Sequence, residues 1–242
     1  MSPQYSKVPS MISLATHRLF LALGVFGLGL AGPAAAEQPV SFSFNLGAAT
    51  DYVWRGVSQT DENPQVFGGV DAAIGSIGYA GVWASNVDYS SGTDAEIDIY
   101  AGVRPRVGPV TLDLGVTYYG YVGLPSGVDR DFLELKAGGS MPLGPAVLGA
   151  AVAWSDDYYG HAGNSTYYEL NGSFPIAQKL TLSGAAGRQD VQRGTDYNTW
   201  NIGASYAFND VIGLDLRYHD TSEHDLGDLY DSRVVLGVKA AF

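Results

Sequence analysis

Cysteine is absent from all 242 residues, so the chain can form neither a disulfide framework nor a thiolate metal site. Positive charge is thin: 13 Lys and Arg stand against 25 Asp and Glu, a formal charge of −12. Nucleic-acid binding rests on counterion release by Lys and Arg, so no nucleic-acid partner is expected. Histidine numbers four, and His161, His219 and His224 fall in or beside polar segments with no motif around them. Apolar runs long enough for a spanning helix are missing too. The run from Leu19 to Gly32 is too short to cross a ~30 Å hydrocarbon core.

That run sits in a leader instead. Lys7 and Arg18 precede or open it, and Ala34-Ala35-Ala36 supplies the small residues of a signal-peptidase site. Residues 1–36 are therefore expected to be a signal peptide, cleaved between Ala36 and Glu37, with 37–242 as a single mature domain. Losing Lys7 and Arg18 takes the formal charge from −12 to −14. Gly27 to Gly32 matches a G-x-G-x-x-G string, but that motif works only between a strand and a helix, so here it is coincidence.

After Glu37 no helical periodicity is found. The chain has 32 glycines and 16 tyrosines, a balance that suits curved strands and turns and would weaken helices. Alternation with a period of two recurs throughout. Val110, Leu112, Leu114, Val116 and Tyr118 share one face, opposite Thr111, Asp113, Gly115, Thr117 and Tyr119. Residues 96–104, 199–208 and 233–242 repeat the pattern, each at about the 9–11 residues that a tilted strand needs to cross a bilayer.

Connections alternate in length. Short links fall at 75–78, 105–109, 142–145, 175–179 and 209–210; longer polar ones fall at 55–64, 86–94, 121–130, 155–165, 189–198 and 219–231. These eleven connections join twelve strands, with both termini at the short-turn end. The pattern predicts an all-β fold: a single antiparallel transmembrane barrel with short periplasmic turns and longer extracellular loops, in the outer membrane of a Gram-negative bacterium. A periplasmic sandwich is the alternative fold, but it needs no such loop asymmetry.

Aromatic placement fits the barrel. Tyr52, Trp54, Tyr118, Trp154, Tyr168 and Tyr218 lie at the long-loop ends and Phe242 at the other, the arrangement of an aromatic girdle in contact with lipid. Outer-membrane lipid and lipopolysaccharide are the expected surroundings. The final strand, ending on Phe242, is expected to be read by the barrel-assembly machinery.

The stretches "DYVWRGVSQTDENP" (51–64) and "FGGVDAAIGSIGYAGVWASNVDY" (67–89) resemble the TorF family of porins, a bacterial outer-membrane domain of unknown function. The likeness extends from about Phe44 to Phe242, and its specific parts are residues 50–59 and 81–88. It implies an outer-membrane barrel with a pore, and neither catalytic residues nor a substrate.

Chemistry-bearing groups are few. Ser155 or Ser222 could pair with a histidine as in a barrel lipase, but no motif frames either, and no catalytic, metal or cofactor residue is expected. The loop "HDTSEHDLGDLYD" (219–231) carries five acids, yet lacks the spacing of an EF-hand. The lumen is the place to look for function. Alternation turns Asp51, Asp71, Glu96, Asp98, Asp113, Glu134, Glu169 and Asp215 inward, with Arg55, Arg104, Lys136, Arg217, Arg233 and Lys239 as the facing bases. Such a lining suits a passive channel for small polar solutes with a mild cation preference. A barrel plugged by the same groups, acting as a structural or surface-interaction protein through acidic extracellular loops, is the alternative. Asp51 and Arg55 are expected at the end of the first strand, facing the lumen at its mouth, with Gly56 opening the first outer loop.

Overall fold

The computed structural model of the chain describes residues 39–89 and 92–242. The expected signal peptide over 1–36, with its cleavage point at Ala36 and Glu37, lies outside the described residues.

Fifteen strands are present among the described residues: β1 Val40–Ala49, β2 Val53–Trp54, β3 Val57–Ser58, β4 Gln65–Ile74, β5 Gly78–Tyr89, β6 Thr93–Val103, β7 Arg106–Val107, β8 Val110–Val122, β9 Phe132–Leu143, β10 Ala146–Ser155, β11 Ser165–Ala177, β12 Leu180–Val191, β13 Tyr197–Ala207, β14 Ile212–Thr221 and β15 Arg233–Ala241. Three are two-residue fragments. The other twelve form a closed ring in which each strand pairs antiparallel with its neighbours in the chain. β15 returns to β1, with Asn45 opposite Ala241 and Ala49 opposite Gly237. Phe44 and Phe242 exchange backbone hydrogen bonds of 3.1 and 2.9 Å, which fastens the last residue to the first strand. Among the described residues closure leaves no strand of the ring with an unpaired edge, the condition for a sheet in hydrocarbon.

Side-chain period does the rest. Phe42, Phe44 and Leu46 on β1, Leu133 and Leu135 on β9, and Val234, Leu236 and Val238 on β15 are all exposed, on the outer face of the ring. Their neighbours in sequence turn to the inside. Short connections rely on glycine where the turn demands it: Leu143 pairs with Ala146, and Gly144 between them takes φ 60°, open to glycine and strained for other residues.

Two expectations about connections need correction. The polar stretch 86–94 is not a long loop. β5 continues to Tyr89 and β6 starts at Thr93, because Asn86 still pairs with Ala95 and a bulge carries the strand past the polar residues. The stretch 55–64 is not an outer loop, and residues 50–55 are not the end of the first strand. β1 stops at Ala49, and the next fifteen residues fold into the barrel.

Candidate functional site: an infolded hairpin in the outer lumen

Residues 50–64 form a small hairpin inside the ring. β2 pairs with β3, Trp54 opposite Val57 and Val53 opposite Ser58, so Arg55 and Gly56 are the two residues of its turn. Both have positive φ, 50° and 85°, the signature of a type I′ turn, which matches strand twist but favours Asn and Gly. Gly56 meets that demand and also fits where nothing larger does. A Cβ there would lie 2.3 Å from the Thr199 hydroxyl and 2.7 Å from a Thr221 methyl. Arg55 in the left-handed region costs about 1–2 kcal/mol, which its contacts must offset.

Those contacts are extensive. The Arg55 guanidinium donates two hydrogen bonds of 2.8 Å to the two carboxylate oxygens of Glu134 on β9 and a third, 2.9 Å, to Gln189 on β12. It lies 4.1 Å from the Trp54 ring centre and 4.2 Å from that of Tyr167. With side chains only 8% and 4% exposed, Arg55 and Glu134 form a buried bidentate pair at the heart of the barrel. Trp54 packs near Tyr119, Phe132 and Tyr158, with ring centres 5.5 to 6.4 Å apart.

The hairpin base is tied down by Asp51. One of its carboxylate oxygens accepts hydrogen bonds from Ser58 (2.7 Å) and Thr60 (2.8 Å), and the other binds Arg233 on β15 (3.0 Å). Arg233 reaches Glu62 as well, at 3.2 Å. Gln59 joins the hairpin to β5 through its carbonyl, which accepts from the Asp88 amide, and through its side chain, which accepts from the Tyr89 hydroxyl. Tyr52 stacks edge-on to Trp83 and donates a 2.7 Å hydrogen bond to Glu96.

Tyr52 and Trp54 therefore do not belong to the girdle. Both point into the lumen, because they sit on the hairpin and not on the wall. The other five, Tyr118, Trp154, Tyr168, Tyr218 and Phe242, are exposed on the outer face. Asp51 and Arg55 are inside as well, but not as strand residues and not as partners of each other.

The remaining lumen candidates divide into two layers. Glu96, Asp98 and Glu134 join Asp51, Arg55 and Arg233 in the buried outer layer around the hairpin. Asp71, Arg104, Asp113, Lys136, Glu169, Asp215, Arg217 and Lys239 lie toward the short-turn end, where side chains are partly exposed. There Asp113 is bracketed by Lys136 (3.1 Å) and Arg104 (3.4 Å), Arg217 pairs with Asp215 (3.1 Å), and Asp71 accepts from Tyr100 (2.5 Å). Charge is even in this layer, four acids to four bases. In the buried layer it is four to two.

Sequence reasoning missed the residues that close the outer layer: Ser58, Gln59, Thr60, Trp83, Tyr119, Phe132, Tyr167 and Gln189. The available signal was Arg55-Gly56 flanked by Trp54 and Val57, which has the spacing of a two-residue hairpin. At the rim, His161 bonds Asp157 at 2.7 Å and His224 bonds Asp220 at 2.8 Å; both histidines are held above their usual value by these carboxylates. Ser155 makes no hydrogen bond to a histidine, and Ser222 bonds Asn198 and Glu223.

A closed ring of twelve antiparallel strands with an apolar outside and an ionic inside defines a porin-like β-barrel. The solved structures agree on that fold. The KdgM porin superposes with a TM-score of 0.61 at 7% identity, over 83% of this chain and 99% of that one. It has also been seen in complex with disordered oligogalacturonate. The NanC porin gives a TM-score of 0.58 at 9% identity, over 84% of this chain and 99% of its own. The chain itself belongs to Gcw_chp, a bacterial protein family of unknown function, whose model matches residues 33–242. No curated protein matches it significantly in sequence.

Proposed function

We propose that the protein is a narrow, passive outer-membrane channel for small polar solutes, with a mild preference for cations, and that the hairpin of residues 50–64 is its constriction. The observation that carries this reading is the division of the lumen. A partly exposed, charge-balanced layer leads from the short-turn end to a barrier built from a loop, not from the wall. Because the hairpin shares no ladder with the twelve strands, it can leave without unpairing any of them. Excess acid at the barrier favours cations and disfavours polyanions such as the oligogalacturonate of the KdgM complex.

Export through a leader over 1–36 and placement in a Gram-negative outer membrane complete the reading, supported by the apolar outer face and by the likeness of residues 50–59 and 81–88 to TorF porins. Lipid and lipopolysaccharide surround the barrel, and the assembly machinery reads the strand ending at Phe242. No catalytic role is assigned.

A second reading is favoured by the Arg55–Glu134 pair: a non-conducting barrel serving a structural or surface-interaction role, sealed for good. Planar-bilayer recordings of the mature protein under a potassium chloride gradient separate the two. Small steps with a cationic reversal potential support the channel. Silence at every voltage supports the sealed barrel, and an anionic potential contradicts the proposed preference.

A further inference from the structure

The buried outer layer does not balance its charge. Glu134 is held by Arg55 and Asp51 by Arg233. Glu96 and Asp98, two apart on the inward face of β6, have no basic partner among the described residues. Glu96 accepts hydrogen bonds from Tyr52 and Tyr121, but a phenol cancels no charge. Asp98 is 2% exposed, and its Oδ1 has no hydrogen-bond partner. In register it stands between Trp83 on β5 and Tyr119 on β8, with the Tyr52 ring 5.4 Å from that of Trp83. The other charge that Asp98 feels, Glu134, is also negative. Isolated carboxylates are too costly to bury without compensation.

We propose that Glu96 and Asp98 form a binding site for a monovalent cation of the potassium class. Two features select that class. Among the described residues no three His, Asp or Glu side chains converge as a divalent site requires. The walls are aromatic, and ring faces attract a weakly hydrated monovalent ion where water is excluded. The ion supplies the positive charge that the layer lacks. The site deepens the channel reading by naming where its cation preference arises, yet it is tested by binding alone.

The test is equilibrium dialysis of the mature, detergent-folded barrel against rubidium chloride, a potassium stand-in, at neutral pH. The wild type is expected to retain rubidium saturably. D98N should weaken retention about tenfold or more, E96Q should weaken it less, and D157N, in an exposed outer loop, should leave it unchanged. Heat-modifiable migration on gels confirms that each variant is folded, and replacing an unpaired buried acid by its amide removes strain rather than adding it. No saturable rubidium in the wild type, equal retention by D98N, or an infrared band of protonated carboxyl that disappears in D98N overturns the proposal. A barrel that binds rubidium but never conducts refutes the channel and leaves the site standing.

Discussion

Arg55 concentrates the physics of this molecule in one side chain. It accepts an unfavourable backbone conformation at a turn tip, and its charge is matched by Glu134 in a buried site. Breaking one half of such a pair strands the other. Replacing Arg55 with Met is expected to destabilise the barrel by about 3–5 kcal/mol, while replacing Arg55 and Glu134 together with apolar residues costs much less. Urea unfolding in lipid vesicles measures both, and the difference between the single and double variants is the diagnostic. The histidines at the rim make a separate prediction. His161 gains a carboxylate partner on folding, so its folded value stands above the ordinary 6.5. A contribution of that sign is fully present below the unfolded value and is lost as pH rises through the folded one. An NMR titration should show His161 titrating above 6.5 in the wild type and moving down in D157N. Both groups are fully exposed, so global stability should barely respond.

The hairpin of β2 and β3 is the element that separates what the sequence discloses from what it conceals. Alternation marked the wall strands because each has one face in lipid and one in a polar lumen, and a slip of one residue would reverse them. The same alternation continued through Tyr52 and Trp54, where it pointed outward and misled. Period-two patterning says which side of a strand a residue occupies, but it is silent on whether a loop folds outward or back inside. Alternation puts Asp51 at the inward-facing end of the first strand and Ser58 and Thr60 in the outer loop; only their convergence shows them to be the hairpin's base. The stretch 86–94 failed for a related reason: its polarity reads as a loop although the ladder runs through Asn86 and Thr93. Gly56 tests the element directly. G56A adds a Cβ against Thr199 and Thr221 and a strained positive φ, so it should loosen the hairpin at a cost of about 1–3 kcal/mol. Faster proteolysis within residues 50–64 on the folded barrel, with the wall strands still protected, is the expected readout.

At the scale of the whole molecule, twelve strands place the barrel between small ones filled by side chains and large ones that leave an aqueous channel. This chain combines the two: one half is filled by its own loop, the other is lined by partly exposed acids and bases in equal number. Glycines such as Gly47 and Gly203 keep the inward face low where Phe67 and Arg217 cross it. On the channel reading the hairpin, and not the wall, narrows the lumen. Ala49 lies opposite Gln65, so an Asn-Gly turn can join β1 to β4 directly and remove residues 50–64 without disturbing the ladder. Single-channel conductance of that variant in planar bilayers, beside the wild type, is the most direct measurement. Large, cation-preferring steps are expected from the variant and small ones from the wild type. A folded variant that conducts no better than the wild type would contradict that reading.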